Sequence, residues 1–346
     1  MAPTVVRLLS RVLVVSLAGA LCAAVPAAAT AQNAAPRPAP PDAKPFSPTL
    51  EDVPYPYPVQ YLPLTLYTHD VRMAYMDVPP AVTPNGHVVV LLHGMNFYGE
   101  YWSGTIDVLR KAGFRVVVPD QVGFGRSSKV VMPYTVSDMA ANTRRLLESL
   151  GIAKAAIVGH SMGGMVATRF GLLYPDVAEK LVLYNQIGLT DARLTRPPAS
   201  VDATYKALLT PSYDAVYNGL ARYFPHGMKP EHERYVKIQY GWSLSGNWPT
   251  AAMIRALAQQ MVYEDPVVYD WPAIKVPTLE LGGDKDGPDF ADRAAFIAKT
   301  IPNCQLVLLP GIGHVPHFEA PDQFHAALLP FLTAGLTPAT KSSGGH

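Results

Sequence analysis

With 346 residues, 49% of them hydrophobic and 16% charged, the chain can build one large globular domain or two smaller ones and is too apolar to be disordered. A formal net charge of +1 gives no reason to expect nucleic acid or an acidic membrane surface as a partner. There is no internal repeat and no metal-type Cys/His spacing, so no cofactor and no metal are expected, and the partner in view is a small-molecule substrate.

Residues 1–31 read as a secretory signal peptide. Arg7 and Arg11 precede an apolar run from Val12 to Val25, and Ala29-Thr30-Ala31 offers a small-x-small cleavage pattern. The run is too short and too alanine-rich for a membrane anchor, so no stable membrane insertion is expected, and export to the periplasm or the medium is. Cleavage would remove Cys22 and leave Cys304 alone, excluding an intrachain disulfide. Residues 32–58 are rich in Pro and Ala and end in Val53-Pro54-Tyr55-Pro56-Tyr57-Pro58; they read as a linker, mobile at first, with the Tyr-Pro part along the surface.

Tyr61–Tyr67 and Val71–Val78 alternate as strands joined by a tight turn. His87–Leu92, Arg115–Val118, Ala155–Val158, Lys180–Tyr184, Val276–Leu281 and Gln305–Leu309 are short apolar runs of the kind buried on both faces of a sheet. Helical patterns fall between them at Tyr98–Ala112, Ser137–Leu150 (Ser137 as cap), Met162–Tyr174 and Asp289–Thr300, with a last one at Pro321–Leu332. Strands alternating with helices imply crossovers and a mostly parallel sheet of eight strands. Residues 189–271 interrupt the alternation with helical patches and no buried-strand run. They carry eleven Tyr and Trp residues between Tyr205 and Trp271, and read as a helical cap inserted into a core formed by 59–188 and 272–334. Residues 335–346 read as a disordered tail.

The chemistry centres on Gly159-His160-Ser161-Met162-Gly163. A serine on a strand-to-helix turn, with glycines two before and two after it, has the pattern of a nucleophile elbow, its hydroxyl held above the sheet beside a helix N-terminus. A serine needs a base, and the base needs an orienting group. His314, on the loop after the last buried strand, lies at the same sheet edge. His317 and His325 are less well placed, and His93 and His160 are suited to holding loops. The orienting acid should fall between the two in chain order, on Gly283-Asp284-Lys285-Asp286-Gly287. Asp284 and Asp286 both qualify, and Asp286 lies further out of the strand. The backbone N–H groups of Met95, with Asn96 next to it, and of Met162 are the candidate oxyanion donors.

These motifs, together with His93-Gly94 and Asp120 followed by Gly123-Phe124-Gly125-Arg126-Ser127, resemble those of α/β-hydrolase-fold serine hydrolases with a cap, a group that includes carboxylesterases. The resemblance spans roughly Tyr61 to Leu332. It implies an α/β fold with Ser161 as nucleophile, His314 as base, Asp286 as acid, Met95 and Met162 as oxyanion donors, and Asp120 as a structural residue. Ester hydrolysis through an acyl-enzyme is the leading expectation, with a hydrophobic or aryl ester as substrate. Serine members of the fold also cleave carbon–carbon bonds in ring-fission products, which would want an arginine such as Arg169, Arg193 or Arg222 at the pocket. Others remove N-terminal residues from peptides, which would want carboxylates such as Glu231, Glu233, Glu264 or Asp265.

Overall fold

Residues 36–335 are described in the computed structural model, and eight strands among them form one sheet: β1 (Val59–Leu66), β2 (His69–Val78), β3 (Val88–Leu92), β4 (Arg115–Pro119), β5 (Ala155–His160), β6 (Ala178–Tyr184), β7 (Thr278–Gly283) and β8 (Cys304–Leu309). Their order is β1-β2-β4-β3-β5-β6-β7-β8. β1 pairs antiparallel with β2, and β2 antiparallel with β4; all later pairs are parallel. The sheet follows from the apolar runs. Along β3, Val90 and Leu92 enter one core and Val89 and Leu91 the other, as the two-residue repeat of a strand requires when both faces are covered. α2 (Val136–Ser149), α3 (Met162–Leu173) and α8 (Phe290–Thr300) cover the first face through Leu146, Phe170 and Ile297. α1 (Ser103–Lys111) and α10 (Pro321–Thr333) cover the second through Ile106, Leu109, Phe324 and Leu328.

Between β6 and β7 the chain forms α4 (Val201–Leu208), α5 (Tyr213–Ala221), α6 (Glu233–Ser243) and α7 (Trp248–Glu264), with no strand. A short helix absent from the sequence reading, α9 (Pro316–Glu319), follows the His314 loop. Two helix starts also differ. α2 is capped by Thr135, whose hydroxyl accepts the N–H of Asp138 at 2.9 Å, while the Ser137 hydroxyl accepts from Arg169 instead. The helix expected from Tyr98 opens as a 3-10 turn over Gly99–Trp102, with the Gly99 N–H donating to Asp120 at 2.6 Å. Among the described residues no helix is long and apolar enough to cross a membrane. The signal-peptide segment and the tail beyond residue 335 lie outside the described residues.

Over residues 37–58 the segment read as a linker packs against the rest of the chain. Leu50 and Val53 are 0% and 1% exposed and pack with Tyr98, Ile238, Trp242 and Trp248. The Phe46 N–H donates to Gly241 O at 3.0 Å and the Trp242 indole to Pro48 O at 3.1 Å. Tyr55 donates its hydroxyl to Asp120 at 2.7 Å and lies under the Arg126 guanidinium, 4.4 Å from its ring centre. Composition was misleading here, because proline-rich chain with few apolar residues needs only a waiting apolar groove, which the cap supplies. Leu50→Ala should lower unfolding free energy by about 2–5 kcal/mol, the range for emptying a buried leucine site. Urea denaturation checks this, and a loss within error of zero would mean the segment is not part of the cooperative core.

Candidate active site

Ser161 joins β5 to α3 in a backbone conformation with φ 55° and ψ −119°. This left-handed φ in a non-glycine residue is a strained turn held by its surroundings. The flanking glycines make the turn possible by permitting close approach. A Cβ on Gly159 would stand 2.1 Å from Gly163 O, and one on Gly163 would stand 2.3 Å from Leu92 O. The Ser161 N–H donates to Tyr184 O, and its carbonyl accepts from Gly164 and Ile187. The loop after β3 lies directly against it. A Cβ on Gly94 would stand 2.9 Å from Ser161 Cβ. The N–H groups of Met95 and Met162 therefore flank the serine, and among the described residues neither donates to another protein group.

His314 follows β8. Its Nδ1–H donates to Asp286 Oδ2 at 2.7 Å, with the histidine side chain 5% and the aspartate 20% exposed. That bond leaves Nε2 as the bare nitrogen. Asp284 is excluded as the partner: its carboxylate accepts the Gly311 N–H at 2.6 Å and faces Lys285. The ring of Tyr223 stacks on His314 with centres 4.4 Å apart, and the His314 N–H donates to Tyr223 O at 3.0 Å. Asn185, at φ 37° just past β6, donates its amide to the same Asp286 oxygen at 2.8 Å and accepts from the Gly283 N–H at 3.1 Å. Sequence reasoning missed Asn185, whose signal is positional: it ends the strand next to the one that carries the acid.

His160 ties these loops together. Its Nε2–H donates to His314 O at 2.8 Å, and its Nδ1 accepts from the Tyr101 hydroxyl at 3.0 Å, which in turn accepts the Gly94 N–H at 3.2 Å. His93 is similarly fixed, donating from Nδ1 to Gly94 O and accepting the Gln121 N–H on Nε2. His317 accepts the Tyr184 hydroxyl on Nδ1 at 2.7 Å. His325 contacts Thr105, away from these groups. Asp120 organises the next loop, accepting from Gly99, Arg126 and Tyr55.

A cavity of about 850 Å³ is lined mostly by the segment between β6 and β7 and reaches the site at Met95, Asn96 and Ile187. Three of the eleven cap aromatics, Trp242, Trp248 and Tyr263, reach its wall. Of the arginines considered from sequence, Arg169 is paired with Asp265 and Asp270 at 2.9 and 2.7 Å, and Arg193 is paired with Asp191. Arg222 lines the cavity. So does Arg255, which sequence reasoning overlooked among the apolar residues of α7.

A family model for the alpha/beta hydrolase fold matches residues 87–321. The chain belongs to the α/β-hydrolase family. Among solved structures of this fold, a probable hydrolytic enzyme from Pseudomonas aeruginosa PAO1 is 41% identical, with a TM-score of 0.81, covering 84% of this chain and 99% of that one. A 2-hydroxy-6-oxononadienedioate/2-hydroxy-6-oxononatrienedioate hydrolase of Comamonas testosteroni is 30% identical over 72% of this chain and 89% of its own length. Lipase 1 of Psychrobacter immobilis is 28% identical over 75% and 80%. This α/β-hydrolase thus has hydrolytic enzymes of more than one chemistry among its relatives.

The environment of the three tied histidines has a measurable consequence in this α/β-hydrolase. Burial drives His160 and His317 well below the ordinary histidine value and His93 below it too, with neighbouring imidazoles adding to the effect at the first two. The fold keeps them neutral, whereas the unfolded chain takes up protons near pH 6.5, so their stabilisation is complete above about 6.5 and is lost as pH falls below it. Ring ¹⁵N shifts of histidine-labelled protein should show these three imidazoles titrating below the ordinary histidine value, His160 and His317 the furthest. Titration of all three near 6.5 would contradict this.

Proposed function

We propose that the protein is a serine hydrolase that cleaves carboxylic esters through an acyl-enzyme. One observation carries the reading: the imidazole bonded to Asp286 and the strained Ser161 turn are held to one another through His160 at a single sheet edge, the edge where open α/β sheets bind ligands. Ser161 Oγ attacks the ester carbonyl while His314 Nε2 takes its proton. Asp286 holds the imidazole and stabilises its charged form. The carbonyl oxygen, now an anion, is received by the N–H groups of Met95 and Met162, the latter at the start of α3. Collapse breaks the C–O bond, and the alcohol leaves with the proton from His314. Water, deprotonated by the same nitrogen, then releases the acid and restores the serine.

The leader-like residues 1–31 support placing this activity outside the cytoplasm. The peptidase alternative is less well supported, because Glu231, Glu233, Glu264 and Asp265 do not line this cavity. Carbon–carbon hydrolysis stays as a second reading, favoured by the Comamonas relative. A panel of aryl esters, alkyl esters and a ring-fission product separates the two.

Ser161→Ala should abolish ester turnover and labelling by a fluorophosphonate while leaving the melting temperature near that of the wild type. Retained labelling would reject Ser161 as nucleophile. Asp286→Ala should lower kcat by roughly 10³–10⁴-fold, the scale seen when a catalytic imidazole loses its orienting acid. Asp284→Ala should leave kcat within about threefold, since its carboxylate serves a turn. Steady-state kinetics on a 4-nitrophenyl ester reads both, and equal losses at the two positions would sink the assignment of the acid.

A further inference from the structure

The cavity wall holds three arginines, Arg196, Arg222 and Arg255, and no aspartate, glutamate or lysine. A one-sided charge distribution in a concave space favours a ligand of the opposite sign. The arginines differ in their surroundings. Arg196 lies over Tyr263 and Arg222 over Tyr223, both as exposed cation–ring contacts. Arg255 rises from α7 into the interior and is partly covered. It donates to Asn96 Oδ1 at 2.6 Å and, among the described residues, forms no ion pair. Its desolvation lowers its pKa, and no carboxylate stands near enough to offset this. A guanidinium carries five N–H donors, and among the described residues Asn96 is the one hydrogen-bond partner of Arg255. A partly desolvated cation without a counter-ion gains when an anion completes it.

The position of Arg255 relates it to the chemistry. Asn96 follows Met95 on the oxyanion loop, donates to the Tyr223 hydroxyl at 2.6 Å and accepts Gln239 on its carbonyl at 2.7 Å. Tyr223 is the residue stacked on His314. The charged head of Arg255 is thus one side chain from the oxyanion loop and two from the base.

We propose that Arg255 is a substrate anchor, and that the esters this enzyme takes carry a free carboxylate that pairs with its guanidinium in the cavity. The proposal rests on the ester-hydrolase reading and narrows its substrate class, replacing the purely hydrophobic ester expected from the aromatic cap. A planar two-oxygen anion matches the fork of the guanidinium. A substrate so held is a half-ester, with one end fixed at Arg255 and the carbonyl at the other end presented to Ser161.

The test compares mono(4-nitrophenyl) adipate and pimelate with the uncharged 4-nitrophenyl hexanoate and heptanoate. Wild-type kcat/KM should favour the acid-bearing ester of each pair by at least about tenfold, the scale of one well-formed charged pair. Arg255→Gln keeps an N–H for Asn96 but removes the charge, and should lower that preference at least about tenfold, with Arg255→Lys retaining part of it. No preference in the wild type, or an equal loss on charged and uncharged esters in Arg255→Gln, would overturn the anchor. Calorimetric binding of adipate reads the anchor without catalysis: it should weaken in Arg255→Gln, and unchanged affinity, or tighter binding of inorganic phosphate than of adipate, would overturn it. Failure of Ser161 to react with a fluorophosphonate would sink the esterase reading alone, leaving the anchor to be decided by adipate binding.

Discussion

Much of the site depends on the side chain of His160. Its two ring nitrogens are committed in opposite senses, one donating to the carbonyl of His314 and the other accepting from Tyr101, whose oxygen also receives the Gly94 N–H. Three loops from three different strands are fixed relative to one another by these bonds. A protonated imidazole could not accept from Tyr101, so the arrangement requires a neutral ring, and the surrounding Tyr184, Trp102 and His317 supply the apolar setting that keeps it neutral. The residue before Ser161 therefore sets the position of the loop that carries His314.

The same economy appears on the other side of the serine. Asn185 spans from Gly283 to Asp286, so the Asp286 carboxylate is aimed by the end of the neighbouring strand as well as by its own loop. Asn96 has a matching place facing the cavity, where its amide joins the oxyanion loop to Tyr223 and Arg255. Asparagine suits both positions because one short side chain offers a donor and an acceptor at once.

The parallel sheet and the places of Ser161, His314 and Asp286 were legible in the sequence because they rest on local signals: apolar runs of strand length, paired glycines around a serine, and a Gly/Asp loop at a strand end. The sequence favoured Asp286 over Asp284 as lying further out of the strand, and the coordinates add which side chain turns to the imidazole and which to Gly311. Arg255 was not legible. On α7 it sits among alanines, isoleucine and leucine, and helical periodicity gives no hint that its face borders a cavity. The segment before β1 misled for a related reason, because its few apolar side chains are buried by residues nearly two hundred positions away.

That separation bears on how the molecule is assembled. Trp242 reaches back 194 residues to Pro48, so the stretch around Phe46 and Pro48 finds its docking place only once the cap helices exist. Closing so long a loop is entropically slow and comes after the local helices and strands have formed. That early stretch is thus among the last to be fastened, a clasp over a cap that has already formed.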